Sequence, residues 1–266
     1  MIKKKVFAAE MKRAMNIGWI ISILGICFSI CFDSWNDLIR AMESHTGHVH
    51  YFFWNSSWGG ACRTYFLPIF AAIPFAASFC QDYKSHALPF IVSREGKKTY
   101  CTVKYIINVL CGGLTVALAT GILIVLLLAV FPMSDPSYQE AVVSERFHAW
   151  IAVNHPVAYA FVEIWSGFLS GMLWSGIAIC ISVYIEDSFV VLISPYFVSF
   201  LISQVYRIFS IEDTYRLDKL LTGNMIIHSS AVTIGICTIV VLPIVMVLGT
   251  FFQKTVLRRL EDNVFY

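Results

Sequence analysis

The sequence predicts an all-α integral membrane protein with six transmembrane helices, an interfacial helix at the N-terminus and both termini in the cytoplasm. Hydrophobic residues make up 58% of the 266 residues and charged residues only 14%, against roughly 25% charged residues in a soluble domain. So small a share of charge could not cover the surface of a soluble protein. The net charge of +2, without a long basic stripe, argues against nucleic-acid binding.

Six apolar segments have about the 20-residue length that a helix needs to cross a bilayer. Each is expected to be an α-helix, because backbone polar groups in lipid must be satisfied within the segment and the strand-like alternation of a barrel is absent. The first two segments are short and need flanking residues to complete a crossing. The six segments are Ile17–Phe32, Tyr65–Phe79, Tyr105–Phe131, Val157–Ile185, Phe189–Tyr206 and Ala231–Phe252.

Residues 3–16 form the predicted interfacial helix. At helical spacing Phe7 and Met11 share one face, and Lys5 and Lys12 lie on the opposite face. An amphipathic helix of this kind suits the inner membrane interface, where the chain can rest before it enters the bilayer.

The distribution of Lys and Arg predicts the orientation. If the N-terminus is cytoplasmic, thirteen of the nineteen basic residues fall on the cytoplasmic side. Cytoplasmic segments are enriched in basic residues, so both termini are expected inside. No small-residue cleavage site follows residues 17–32, so this segment is expected to remain as an anchor. Residues 1–266 are interpreted as a single multi-pass transmembrane domain.

The chain has no GxxxxGK[ST], no HExxH and no GxSxG motif. We therefore expect no catalytic site and no enzymatic activity. His45, His48 and His50 in the first outer loop could hold a divalent ion, but a solvated polar loop is favoured because no carboxylate or Cys at ligand spacing accompanies them. A disulfide between Cys31 and Cys62 is conceivable, because both lie near segment ends at one membrane face.

Glu163 is the ionisable residue that stands out within the fourth segment. An intramembrane carboxylate is a candidate functional group, although this one lies near the outer end and could simply reach the headgroups. Gly167 and Gly171 follow on the same helix as a small-xxx-small pair, which favours close helix packing or association with a second copy. These three residues are the candidates for a translocation path or a helix–helix contact.

The segment 81–104, after the second apolar segment, contains an apolar patch among charged residues on the predicted cytoplasmic side. An apolar patch outside the bilayer suggests that a protein partner docks there. The alternative is that it packs on the inner ends of the protein's own helices. The patch consists of Ala87, Leu88, Phe90, Ile91 and Val92.

This arrangement resembles the membrane subunit of type-two ATP-binding-cassette (ABC) exporters. The resemblance covers the layout of the whole chain and, as a motif, the loop pattern F-x-x-D-x-x-x-x-x-x-P-x-x-x-S-R-x-x-x-x-x-Y-x-x-x-K. The matching residues are Phe79, Asp82, Pro89, Ser93, Arg94, Tyr100 and Lys104. Family members usually have Gly where this chain has Ser85-His86. The two short outer helices of the family correspond loosely to residues 207–230.

The resemblance implies that this loop carries a coupling helix, Tyr83–Val92, which fits a cleft on a separate ATPase subunit. Residues 94–104 would then return into the third span. The implied ATPase contacts are Asp82, Tyr83, Lys84, His86, Leu88, Phe90, Arg94 and Glu95. The short turn Glu186-Asp187 would be a second contact.

The resemblance also implies a function. ATP and Mg²⁺ would bind the partner subunit, and two permease chains, identical or related, would form the pathway in a bacterial plasma membrane. Members of this size in Gram-positive bacteria often export or expel peptides such as bacteriocins and lantibiotics, so peptide export or self-immunity to such antibiotics is the expectation. The alternatives are a secondary transporter, which would need inverted repeats that are not evident, and a membrane anchor or assembly subunit.

Overall fold

The computed structural model describes residues 4–44, 47–58, 61–133, 148–224 and 226–261. Within these ranges every regular element is a helix, which confirms the all-α prediction. The helices are α1 (Lys4–Ala14), α2 (Ile17–Asp33), α3 (Trp35–Ser44), α4 (Val49–Trp58), α5 (Ala61–Ala72), α6 (Ser78–Lys84), α7 (Leu88–Glu95), α8 (Lys97–Leu128), α9 (Ala149–Asn154), α10 (Pro156–Ile181), α11 (Ser188–Ile208), α12 (Leu217–Leu221) and α13 (Ser230–Glu261), with a 3-10 turn at Asp213–Tyr215.

Four of these helices, α8, α10, α11 and α13, are long and apolar enough to cross a membrane. Helices α1 and α2 would add a fifth span if the pair, bent by 50°, crosses as one. By length and composition, the described residues therefore contain four or five candidate spans, against the six predicted from the sequence.

The predicted second segment, Tyr65–Phe79, is interrupted. Helix α5 ends at Ala72, residues 73–77 form turns, and α6 begins at Ser78. Pro74 has no backbone N–H to continue the helical hydrogen bonds, and proline also disfavours helical geometry in the residue before it. The apolar composition is continuous, but the helix is not.

The chain turns sharply between α1 and α2 because Asn16 caps α2. Its side-chain oxygen accepts a hydrogen bond from the Gly18 N–H at 2.7 Å, and its amide donates to the Pro74 carbonyl at 3.3 Å. The apolar face of α1, including Val6 and Ala14, packs against α8. The N-terminal helix is therefore held against the bundle beside the turn that follows α5.

Helices α8 and α10 form the central pair of the bundle, and small residues line their contact. A Cβ on Gly171 would lie 2.3 Å from the Gly112 carbonyl oxygen, and a Cβ on Gly112 would lie 2.3 Å from the Ser175 hydroxyl oxygen. Asn108 adds a buried hydrogen bond to the Ser175 carbonyl at 2.6 Å. Small residues let two membrane helices approach until their backbones touch.

The bundle has two ends. We call the end with α1, α6, α7 and the chain between α10 and α11 the loop end, and the end with α3, α4, α9 and α12 the cap end. Helices α11 and α13 stand at the outside, with many large apolar side chains exposed. Such exposure is what helices that face lipid require, because the hydrocarbon core offers no polar partners.

Cysteine thiols are spread through the bundle. Cys31 is a free thiol, and the conceivable disulfide with Cys62 involves a side chain that lies outside the described residues. Cys80, Cys101 and Cys111 are buried, where cysteine packs as a small apolar residue.

Candidate functional site

An ionic cluster at the loop end, formed by Glu10, Arg13, Asp82, Tyr100 and Lys104, joins α1, α6 and α8. The Lys104 ammonium lies 2.6 Å from one Asp82 carboxylate oxygen and 3.1 Å from Glu10. The Tyr100 hydroxyl donates to the same Asp82 oxygen at 2.7 Å, and Arg13 donates to the other oxygen at 2.5 Å. Both oxygens of Asp82 therefore receive hydrogen bonds from neighbouring helices.

The cluster balances two acidic and two basic side chains; its centre is closed to water, whereas the Arg13 side chain at its edge is 38% exposed. Asp82 is 2% exposed and Lys104 is 0% exposed. Burial raises the pKa of Asp82, but the charge of Lys104 and the hydrogen bonds from Lys104, Arg13 and Tyr100 outweigh burial, so the pKa lies below its usual value. Loss of one partner would leave an uncompensated charge inside the protein.

Helical spacing explains why these side chains meet. Tyr100 and Lys104 are four residues apart on α8, and Glu10 and Arg13 are three residues apart on α1, so each pair shares one helix face. Asp82 reaches them from α6, which lies beside both helices. These five residues span 95 positions of the sequence. They connect the N-terminal helix α1 to α6, which precedes the loop helix α7, and to α8, which follows it.

The loop helix α7 has one side in the core and one side at the surface. Leu88 and Val92, four residues apart, belong to the apolar core at this end of the bundle. Phe90 and Arg94 point outward, and 76% of the Phe90 surface is exposed. Pro89 stands in the first turn of α7, where a missing N–H costs no helical hydrogen bond.

Left-handed backbone marks both turns that flank α7. The φ angle of His86 is 52° and that of Gly96 is 90°. Glycine adopts this region without steric cost, whereas other residues rarely do. Gly96 fits its position, and His86 belongs to the pair Ser85-His86, where the exporters that the chain resembles usually have glycine.

The structure changes the boundaries of the predicted coupling helix, Tyr83–Val92. Residues 85–87 form a turn, and the helix that follows runs from Leu88 to Glu95. The reason is local, since the left-handed residue at position 86 cannot continue a right-handed helix.

The eight predicted contact residues of this loop divide by exposure. Lys84, His86, Phe90 and Arg94 are exposed, and Tyr83 and Glu95 are partly buried. Asp82 and Leu88 are buried, so they do not form part of the surface. Their place in the structure is to hold the loop, Asp82 through the ionic cluster and Leu88 through the core.

The second predicted contact, Glu186-Asp187, lies directly beside the loop. Tyr83 is hydrogen-bonded to Glu186, and the Cys80 thiol donates to the Ile185 carbonyl at 3.3 Å. Asp187 caps α11 by accepting hydrogen bonds from the first N–H groups of that helix. The two predicted contact segments therefore form one continuous surface, which we call the loop-end face: Tyr83, Lys84, His86, Phe90, Arg94, Glu95, Glu186 and Asp187.

Glu163, Gly167 and Gly171 lie on the side of α10 that is turned into the bundle, where all three are buried. A Cβ on Gly167 would lie 3.2 Å from both the Thr120 hydroxyl and a Val116 methyl, so this glycine packs against α8 as Gly171 does. Gly167 also lines a cavity between the helices.

Two of the three histidines predicted to lie in the first outer loop, His48 and His50, are inside the cap end. His48 and His50 are buried, with ring centres 6.2 Å apart, and His50 meets the Tyr159 ring edge-on at 5.3 Å. This burial corrects the expectation of a solvated polar loop. Among the described residues, which do not include His45, no group of three His, Cys, Asp or Glu side chains could hold a metal ion.

Sequence reasoning missed Glu10 and Arg13 as members of the ionic cluster, and it missed the buried His148. The sequence did contain a signal for Glu10 and Arg13, because they stand three residues apart and therefore share one face of the predicted N-terminal helix. Lys104 directly precedes the third apolar segment, so an acidic partner for it could be expected. Glu10 could be identified as a partner only from the way in which α1 packs against α8.

No protein-family model matches the chain, and no curated protein and no solved structure is detectably similar to it. The resemblance to ABC exporters therefore rests on the loop residues and on the order of the segments alone.

Proposed function

We propose that this chain is the membrane-spanning permease subunit of an ABC exporter, and that its loop-end face docks a separate ATPase subunit. The observation that carries the proposal is the position of Phe90. It is a large apolar side chain, 76% exposed, on a short helix outside the candidate spans. Aromatic side chains that protrude from a rigid support are typical anchors of protein interfaces.

The surroundings of Phe90 favour a protein partner over lipid. Lys84 and Arg94 are exposed on the same face, and Glu186 and Asp187 adjoin it. Charged groups of both signs around an apolar anchor are typical of the rim of a protein–protein interface.

The contacts of the loop would allow α7 to transmit a mechanical force to the helix bundle. Helix α7 is seated in the core by Leu88 and Val92, and the chain on both of its sides leads within a few residues to the ionic cluster. Force applied to α7 would move α6, α8 and α1 together, because Asp82 is bonded to the other two helices. ATP-driven closure of two ATPase subunits could thereby change the access of the bundle, as alternating-access transport requires.

The remaining parts of the proposal follow from the resemblance. Six spans would be reached if α2 crosses as the first span, with α1 at the interface, and the interrupted pair α5 and α6 completes a further crossing. The loop end and both termini would be cytoplasmic in a bacterial plasma membrane, ATP and Mg²⁺ would bind the partner, and two permease chains would form the pathway. The substrate would be an amphipathic molecule such as a peptide antibiotic.

Capture of the ATPase tests the docking. The chain with a C-terminal tag is extracted in mild detergent, and co-purified subunits are identified by mass spectrometry and assayed for ATP hydrolysis. Phe90→Asp and Arg94→Glu should each lose most of a captured ATPase. The matched controls at the cap end, Tyr215→Asp and Arg207→Glu, also replace exposed side chains and should retain it.

The same experiment can contradict the proposal. An intact chain that captures no ATP-hydrolysing subunit would favour the anchor or secondary-transporter interpretation. Capture that survives both Phe90→Asp and Arg94→Glu would show that the ATPase does not dock on the loop-end face.

A further inference from the structure

A cavity of about 440 Å³ lies between α5, α8, α10 and α11 in the half of the bundle nearer the cap end. Its rim is formed by α12 and the chain before and after it. Sites for small organic ligands have volumes of about 300–1,000 Å³. The cavity is therefore large enough for a small amphipathic molecule.

Hydroxyl groups are the main polar feature of its wall. Nine lining side chains are Ser, Thr or Tyr, and they stand among apolar ones such as Leu173 and Trp174. In the described part of the chain, no hydrogen bond is formed by the hydroxyls of Ser170 and Tyr206. Hydroxyls that face a cavity between apolar helices offer donors and acceptors to an uncharged polar ligand group, and burying them without a partner is costly.

Two basic side chains, Arg216 and Lys219, line the rim of the cavity. Arg216 is paired with Asp213 at 3.3 Å and with Asp218 at 3.0 Å, and it lies 5.3 Å from the centre of the Tyr206 ring. Lys219 lines the same rim, and no carboxylate of the described residues pairs with it. Its ammonium is thus the charge that remains available to a ligand.

We propose that this cavity binds an amphipathic organic anion, with its acidic head on Lys219 and its uncharged polar body against the hydroxyl wall. A charge-assisted hydrogen bond to Lys219 would supply orientation, and the mixed wall would accept an amide or hydroxyl group beside a hydrocarbon chain. That this ligand class is the transported substrate rests on the proposed function. Binding of the ligand to the cavity does not depend on an ATPase.

A matched pair of probes tests the proposal. The purified chain in phosphatidylcholine nanodiscs is titrated with N-octanoylglycine, which is anionic, and with N-octanoylglycinamide, which has the same chain and amide but no charge. Binding is measured as the rise of the thermal unfolding midpoint with probe concentration. The anion should bind about fivefold more tightly, the gain of roughly 1 kcal/mol that one accessible ion pair provides. The neutral probe partitions more readily into lipid, so a preference for the anion cannot come from the bilayer.

Three variants locate the binding. Lys219→Gln should abolish the preference for the anion and leave the neutral probe unchanged, whereas Lys97→Gln, an exposed lysine at the loop end, should keep the preference. Ser203→Leu, which narrows the cavity, should weaken the binding of both probes. The unfolding midpoint of this variant without probe reports whether the variant folds. Equal binding of the two probes by the unchanged protein, or a preference that survives Lys219→Gln, would overturn the proposal.

A last arm identifies the source of the acidic head. If nanodiscs with phosphatidylglycerol suppress N-octanoylglycine binding, a lipid phosphate occupies the site; if binding persists, the ligand is a free amphipathic anion. All measurements use the chain without an ATPase. A failure here therefore leaves the docking proposal intact, and loss of ATPase capture leaves this one intact.

Discussion

Lys104 and Asp82 form a buried ion pair, 2.6 Å between the ammonium nitrogen and a carboxylate oxygen, between the start of α8 and the end of α6. The pair closes the loop that presents α7, and Arg13 and Glu10 extend it to the N-terminal helix. The loop-end face is therefore held from the inside by a buried pair of charges, Asp82 and Lys104.

Lys104→Met should lower the free energy of unfolding by about 3 kcal/mol, because it leaves Asp82 and Glu10 with one cation between them inside the protein. The double variant Lys104→Met with Asp82→Asn should recover most of that loss, since Arg13 and Glu10 then balance. Chemical denaturation in detergent micelles measures both. Lys97→Met, on the exposed side of the same helix, should change stability by no more than about 0.5 kcal/mol. A double variant as unstable as the single one would show that the pair isn't the source of the loss.

His148 should make the cap end sensitive to acid. Burial, aided by the charge of His50, lowers the pKa of His148 from 6.5 to about 4. The unfolded chain therefore binds a proton between pH 6.5 and pH 4 that the folded chain does not, so the free energy of unfolding falls as the pH falls through this range. The loss amounts to about 3 kcal/mol. His148→Asn should reduce the change of the thermal unfolding midpoint between pH 6.5 and pH 4. The control His155→Asn, at an exposed position, should leave that pH dependence as it is.

His86→Gly should stabilise the turn before α7 by about 1 kcal/mol, because glycine adopts a φ of 52° without steric cost. His86→Ala removes the same imidazole but keeps the Cβ, so it should give no gain. Denaturation curves of the two variants in the same detergent make the comparison. Equal stability of the glycine and alanine variants would contradict a strained backbone at this position.

Gly171→Ala should cost about 1–3 kcal/mol, because the new methyl group would lie 2.3 Å from the Gly112 carbonyl oxygen and would force α8 and α10 apart. Gly235→Ala is the control, since nothing lies within 4 Å of a Cβ there. In the interior of a helix that exchange should gain about 0.5–1 kcal/mol. The sign of the two changes, measured by thermal unfolding, distinguishes packing from helix propensity.

Composition and periodicity predicted the helical class, the helix from Ile17 and the apolar face of the N-terminal helix, because these follow from local patterns. Hydropathy did not predict the break at Pro74, since proline is apolar and what it lacks is a hydrogen-bond donor. The turn at His86 was missed because histidine gives little signal for left-handed backbone. The burial of Asp82 was not predicted either. One of its partners is Arg13, 69 positions away, and no local sequence pattern relates the two residues.

The cap end was harder to predict for the same reason. His48 and His50 were interpreted as solvated because the loop is polar in sequence, yet both are buried, and Tyr159 from α10 packs edge-on against His50. The cavity was not predicted at all, because its hydroxyl wall is assembled from four helices and the rim.

Photo-crosslinking from position 90 tests the central claim most directly. A p-benzoylphenylalanine replaces Phe90 in one sample and Tyr215, which is 74% exposed at the cap end, in the other. After irradiation of native membranes, position 90 should give an adduct with a separate subunit that binds and hydrolyses ATP, and position 215 should give none. If position 90 yields adducts only with lipid or with this chain itself, then α7 is not where an ATPase binds.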